Sequence, residues 1–402
     1  MRNKPLRVAS DRQLQKNMRL YIVTRVFQKR VFLPLVGIYF TTRGGMSLRT
    51  LGFLFSWFAL VQIVAELPTG YFADTYGKVR SLRVGAFLNV IASSMYVLFP
   101  NPIAIFIAYS FEALGYSFFG GASEAVLHDT LEAQGRADNY TKIHSRIQAA
   151  SLGINAVLMA LIPLTYKIDP RLPFLISAAL YSVLLWVNFH IHEVFAPHKS
   201  RTSLTLRQKF GSLSKYKPIL LFFVLLGVVS ATYTAPSDYV NIQLKNLHIQ
   251  PQLLGFIYSA ASIVGVLVGL FVHYLKRLKF SSYVMLDIMF ATALPLCVWY
   301  NHAFVIMFTF VLTMAFWRYR RIIYQAHLLE IFPTRQKATL LSAMNNMTDI
   351  FEFAIPIGFG LVVASRGIPT AFGLVAMLIL FVSFPLFMET SALHARARRI
   401  VD

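Results

Sequence analysis

Two apolar stretches of this chain each carry three bases. Arg25, Lys29 and Arg30 fall in the run from about 19 to 41, and Arg318, Arg320 and Arg321 in the run from about 303 to 329. A charge at mid-bilayer costs about 3 kcal/mol or more, so each base needs a partner or an aqueous cavity. On a helix Arg25 and Lys29 share a face, Arg30 is turned about 100° from Lys29, and Arg318 and Arg321 share a face. The chemistry this offers is anion binding, because the planar fork of arginine matches carboxylate or phosphate. The bases can equally snorkel to headgroups or pair with internal acids, of which Glu66, Glu112, Glu124, Asp287, Asp349 and Glu352 are candidates. Glu112, Asp349 and Glu352 are also candidate proton carriers, since burial favours the protonated carboxyl; a fixed salt bridge to Arg25 or Arg318 is the alternative. Tyr116, Tyr324, Asn345 and Asn346 offer neutral hydrogen bonds or helix–helix contacts.

These residues must be held by helices in lipid. The chain has 402 residues, 56% hydrophobic and 14% charged, where a soluble domain is nearer a quarter charged. Twelve apolar segments lie at about 19–41, 48–69, 80–99, 102–127, 143–166, 172–193, 217–237, 251–274, 281–300, 303–329, 338–364 and 368–388, each near the roughly 20 residues that cross a bilayer. A basic tail, 1–18, precedes them and a second tail, 390–402, follows. The basic connection 195–216 divides a first six-helix bundle, 19–194, from a second, 217–389. The formal charge is +21; in a soluble chain that suggests nucleic acid, but here the bases sit in alternate loops. Apart from the six inside spans, only Arg43, Arg49, Lys167, Arg171, Lys245 and Arg366 fall on one side, which places both termini in the cytoplasm. The first apolar segment is too long and too charged for a cleaved leader. The single cysteine, Cys297, lies in an apolar run and reads as a small buried hydrophobe. His190-Ile191-His192-Glu193 lacks further ligands for a metal, and no phosphate loop, nucleophile elbow or zinc helix is present. No cofactor, metal or enzymatic activity is expected.

One turn carries a spaced signature. Between the second and third segments stands Glu66-Leu67-Pro68-Thr69-Gly70-Tyr71-Phe72-Ala73-Asp74-Thr75-Tyr76-Gly77-Lys78-Val79-Arg80. It resembles the loop signature of the major facilitator superfamily, Gly-x-x-x-Asp-x-x-Gly-Lys/Arg-x-Arg, and the Glu-Leu-Pro-Thr-Gly before it resembles one bacterial subgroup. Glu124 to Asp129 and Lys337 to Ser342 look like the same subgroup. Leu51-Gly52-Phe53 with Ser56 recurs as Leu254-Gly255-Phe256 with Ser259, and Gly70-x-x-x-Asp74 as Gly269-x-x-x-His273. Parallel six-helix repeats are what this superfamily shows. The fifth helix, around Ser151 to Asn155, lacks the glycine-proline pattern of proton-coupled drug antiporters.

The resemblance implies an all-α membrane protein of twelve transmembrane helices in two pseudo-symmetric six-helix bundles. It implies a monomeric secondary transporter of the bacterial inner membrane, working by alternating access, with helices one, four, seven and ten lining a central cavity. The expected substrate is a small organic anion (a carboxylate, a siderophore-like or a phosphorylated metabolite), exported and coupled to protons. Substrate contacts fall to Arg25, Lys29, Arg30, Arg318, Arg321, Tyr116 and Asn345; proton coupling to Glu112, Asp349 and Glu352; gating to Glu66, Gly70, Asp74, Gly77, Lys78 and Arg80. The alternatives are import of the same anions, multidrug efflux, or a non-transporting receptor or scaffold.

Overall fold

The computed structural model describes residues 10–194, 217–234, 236–331 and 337–398, and these are helical without strands. Fourteen α-helices follow in order among the described residues: α1 Asp11–Phe27, α2 Val36–Thr42, α3 Leu48–Tyr76, α4 Lys78–Leu98, α5 Pro102–Ala133, α6 Tyr140–Leu161, α7 Leu172–His190, α8 Lys217–Thr234, α9 Ser237–Asn246, α10 Leu254–Arg277, α11 Phe280–Tyr300, α12 Ala303–Ile331, α13 Lys337–Arg366 and α14 Ile368–Arg398. Among the described residues eleven helical stretches are long and apolar enough to cross a membrane, and Leu33–Thr42 is a shorter apolar helix. Helices answer the bilayer's demand that backbone polar groups be satisfied within the segment.

The expected first span, 19–41, is two helices rather than one. α1 opens inside the expected tail, at Asp11, where Ser10 and Gln13 form a reciprocal capping box. It ends at Phe27, and the chain passes through a 3-10 turn, Leu33–Leu35, before α2. Pro34 has no amide proton to continue the ladder. The seventh expected span, 217–237, is covered mostly by α8, and α9 carries the helix past its expected end. The C-terminal boundary at 390 falls inside α14, which runs to Arg398. The expected connection, 195–216, lies outside the described residues.

The chain forms two compact units. The first takes the described residues of Met1–Leu35, Thr42–Gly45 and Leu60–Ser203; the second those of Val36–Thr41, Met46–Ala59 and Leu204–Asp402. The division thus differs from a single cut in the middle of the chain, because α2 and the start of α3 belong to the second unit.

Within the first unit α4 crosses α5 at Gly85 and Gly115. A Cβ on Gly85 would stand 2.8 Å from the carbonyl oxygen of Gly115, so the helices approach as only glycine allows. Phe32, Tyr96 and Phe174 pack against one another beside this crossing. Within the second unit a Cβ on Gly227 of α8 would meet Phe351 of α13 at 2.9 Å. The start of α3 packs there on α13: a Cβ on Gly52 would lie 2.9 Å from Cα of Gly360, and the Tyr239 hydroxyl donates to the Leu48 carbonyl at 2.8 Å.

Candidate functional site: two buried ion pairs

The break after α1 uncovers carbonyls that the next turn of helix would have engaged. Side chains from α5 and α6 serve them instead. Ser151 donates to the Arg25 carbonyl at 2.8 Å, Asn155 to that of Val26 at 3.1 Å, and Tyr116 to that of Gln28 at 3.0 Å. The break presents Arg30. Its Nε lies 2.5 Å from Oε1 of Glu112 on α5, and the Tyr96 hydroxyl donates to Oε2 at 2.6 Å. The guanidinium lies over the rings of Tyr109 and Tyr116, and the Tyr116 and Tyr181 hydroxyls are 2.8 Å apart. Glu112 is 1% exposed, whereas the Arg30 side chain keeps 17%. Arg25 reaches Ser123 at 3.3 Å, past the bend of α5 at Gly120, and Lys29 is exposed. The sequence-predicted residues Arg30, Glu112 and Tyr116 are therefore neighbours in the first unit, and Arg25 lies apart from them at Ser123.

The second unit holds a counterpart. Arg320 of α12 directs Nε to both carboxylate oxygens of Asp287 on α11, at 2.7 and 2.8 Å, and Nη1 to Ser230 of α8. The Tyr233 hydroxyl donates to Asp287 Oδ1 at 3.0 Å, and the Tyr324 hydroxyl to Oδ2 at 2.8 Å. Both rings lie beside the guanidinium. The Asp287 and Arg320 side chains are 0% and 7% exposed.

Arg318 is different. Its Nη2 reaches Ser262 of α10 at 3.4 Å, and its Nε is buried with no hydrogen-bond partner. Among the described residues it makes no ion pair. Arg321 is exposed, while Asn345, Asp349 and Glu352 of α13 are half-buried. Glu352 stands within electrostatic reach of Asp349, Arg321 and Arg320.

The signature turn is tighter than its fifteen residues suggest. Gly70 to Tyr76 continue α3, and Gly77 alone makes the turn, with φ 113° and ψ 143°; glycine adopts such a backbone at least cost. Glu66, Gly70, Asp74 and Arg80 are exposed. Lys78 pairs with Asp129 at the end of α5, at 2.5 Å. The start of α4 is capped from afar: Glu193, just past α7, accepts from the Lys78 and Val79 amides at 3.0 and 2.9 Å. A carboxylate suits the positive end of a helix dipole. Burial nevertheless pushes the Glu193 carboxyl up from its ordinary value, against the pull of those amides and of the Lys78 charge. Residues beside Glu193 are held as well. Arg83 donates to the Asn188 carbonyl at 3.0 Å, and Asn17 of α1 exchanges two hydrogen bonds with the His192 backbone, at 2.9 and 3.0 Å.

Tyr96, Tyr109, Tyr181 and Tyr233 escaped the sequence reading. The available signal is a tyrosine inside an apolar span, whose hydroxyl needs a partner once buried. Glu193 escaped because a cap supplied from 115 positions away leaves no local pattern.

The sequence model of the Major Facilitator Superfamily matches residues 20–356. The chain is 22% identical over 376 residues to the uncharacterized MFS-type transporter YxaM of Bacillus subtilis (strain 168), covering 90% of this chain and 91% of that one. It is 23% identical over 273 residues to a Na(+), Li(+), K(+)/H(+) antiporter of Planococcus maritimus, covering 62% of each. Among solved structures it is similar to the nucleoside transporter NupG, with TM-score 0.79 and 15% identity, over 94% of this chain and 98% of that one. It is also similar to a peptide transporter POT in complex with sulfate, with TM-score 0.73 and 11% identity, over 95% of each.

Proposed function

The chain belongs to the Major Facilitator Superfamily, and from that premise we propose that it carries a small organic anion across a bacterial inner membrane by alternating access. The observation that carries the anion assignment is Arg318. Arg30 and Arg320 are each matched by a carboxylate, whereas Arg318 sits in a membrane-crossing helix with a buried Nε and no acid beside it among the described residues. An uncompensated cation in lipid is costly, and an incoming carboxylate or phosphate relieves that cost. Arg321, exposed one helical turn further on the same face, and Asn345 are the further candidate contacts in the second unit.

Proton coupling falls to Glu112. A proton on its carboxyl removes the charge that holds Arg30, and a substrate oxyanion can then take the place of that carboxylate. Asp349 and Glu352 are the second proton candidates. We assign export as the direction, both termini to the cytoplasm and the monomer as the working state. The deciding experiment measures binding of carboxylates and phosphates to purified wild-type protein, Arg318→Gln and Arg318→Lys. Loss of one charge-assisted hydrogen bond weakens affinity by about ten- to a hundredfold, and lysine restores it only in part because the fork is lost. Unchanged affinity in Arg318→Gln removes the anion assignment.

A second reading, exchange of a monovalent cation for protons, is favoured by the proximity of Asp349 and Glu352 on α13 and by the antiporter relative. It is tested by sodium and potassium flux into proteoliposomes under a pH gradient.

A further inference from the structure

Arg318 is held by an unusual wall. Ser262, Gly265 and Gly269 lie three and four residues apart on α10, so all three point to one side of that helix. Two neighbouring side chains of α12 fill the notches the glycines leave. A Cβ on Gly265 would stand 3.1 Å from Nε and 3.5 Å from Cδ of Arg318, and a Cβ on Gly269 would stand 2.9 Å from Cζ of Tyr319. Ser262 is itself oriented, because its hydroxyl donates to the Tyr258 carbonyl at 2.9 Å. That leaves the Ser262 lone pairs to accept from Nη2 of Arg318. The Nε edge of the guanidinium is therefore shut against Gly265, one corner is fixed by Ser262, and the terminal edge remains for a ligand.

We propose that Gly265 and Ser262 are positioning residues that set Arg318 for end-on capture of two oxygens of one oxyanion. This rests on the anion reading above and adds what aims the cation. A small residue at 265 lets the guanidinium lie flat on α10. One added methyl displaces Nε by a few tenths of an ångström, roughly the margin over which hydrogen-bond geometry decays. The serine removes one rotational freedom from a side chain that otherwise keeps most of its rotamers, and preorganised groups bind with less loss of entropy.

The test uses purified full-length protein and isothermal titration with succinate and, separately, inorganic phosphate, which also tells a carboxylate from a phosphate site. Gly265→Ala weakens the bound probe by about fivefold, and Ser262→Ala, which adds no volume, by about threefold. Arg318→Gln weakens it by about ten- to a hundredfold. In the Arg318→Gln background neither α10 substitution changes the residual affinity further, because there is no guanidinium left to aim. Equal weakening by Gly265→Ala with and without Arg318 means general loosening of the α10–α12 contact and overturns the positioning role. So does wild-type affinity in both α10 variants while Arg318→Gln is impaired, which leaves the anion reading standing. Wild-type affinity in Arg318→Gln, or a wild-type protein that takes neither probe, removes the anion reading itself. Should Gly265→Ala fail to fold, Ser262→Ala alone carries the outcome.

Discussion

The two units solve the same problem, a guanidinium among membrane helices, with the same three ingredients and opposite emphasis. In the second unit Arg320 projects from a continuous helix, and Asp287 takes bonds from the guanidinium and from two tyrosine hydroxyls. Nothing there is open, since both side chains are almost fully enclosed. In the first unit Arg30 stands at a gap between α1 and α2, keeps 17% of its side chain exposed, and shares Glu112 with the Tyr96 hydroxyl. A buried, enclosed ion pair is a costly way to gain stability but a firm way to fix helix register. A pair at a helix break, with one partner accessible, has the freedom to exchange what it holds. On the function proposed above, the difference separates a strut from a working part.

The largest expected effect breaks the strut. Asp287→Ala strands Arg320 and costs about 3–5 kcal/mol, read as thermal unfolding of protein in detergent. The joint change Asp287→Leu with Arg320→Met restores much of that loss. If Asp287→Ala unfolds no earlier than wild type, the second pair is not structural. Next comes the working part. Glu112→Gln keeps a group of the same shape that still accepts a hydrogen bond, so it costs about 1–2 kcal/mol in stability but abolishes the dependence of transport on a pH gradient. Proteoliposome flux with and without that gradient is the measurement, and retained proton dependence would equate the two pairs. Smaller still is the contrast of hydroxyls. Tyr324→Phe removes one donor from a closed cluster and costs about 1 kcal/mol, while Tyr96→Phe costs less in stability and more in transport. The smallest is a pH slope confined to the first unit. Because burial raises the Glu193 carboxyl, its favourable contribution is complete below its unfolded value, about 4.3, and is lost as pH rises through the folded value. The unfolding midpoint of wild type therefore falls across that window relative to Glu193→Gln, and parallel curves would remove Glu193 from the pH response.

Much of this was legible beforehand. Apolar runs of the right length gave eleven of the spans, because length and hydropathy are what a bilayer selects. Charges inside those runs pointed to Arg30, Arg320, Glu112 and Asp287, because lipid makes each one conspicuous. Which base meets which acid was not legible, since pairing depends on helix rotation and on contacts spanning 82 and 33 residues. The break at Arg30 was hidden for a related reason. Pro34 can begin a helix as readily as end one, and the carbonyls freed there are served by Ser151, Asn155 and Tyr116, which are remote in sequence. The turn at Gly77 was legible as a motif, but the Glu193 cap that completes it was not.

The reciprocal hydrogen bonds between Asn17 and the His192 backbone join points 175 residues apart. A ribosome emits the chain from one end at roughly 5–20 residues per second. Asn17 therefore waits on the order of ten to thirty-five seconds for its partner. Over that interval α1 must stay in place without the contacts to α7, leaning on α5 and α6 as they arrive. The first unit is thus latched by the last of its own helices to be made, and a chain stalled before residue 192 has every intramembrane charge of that unit and no latch.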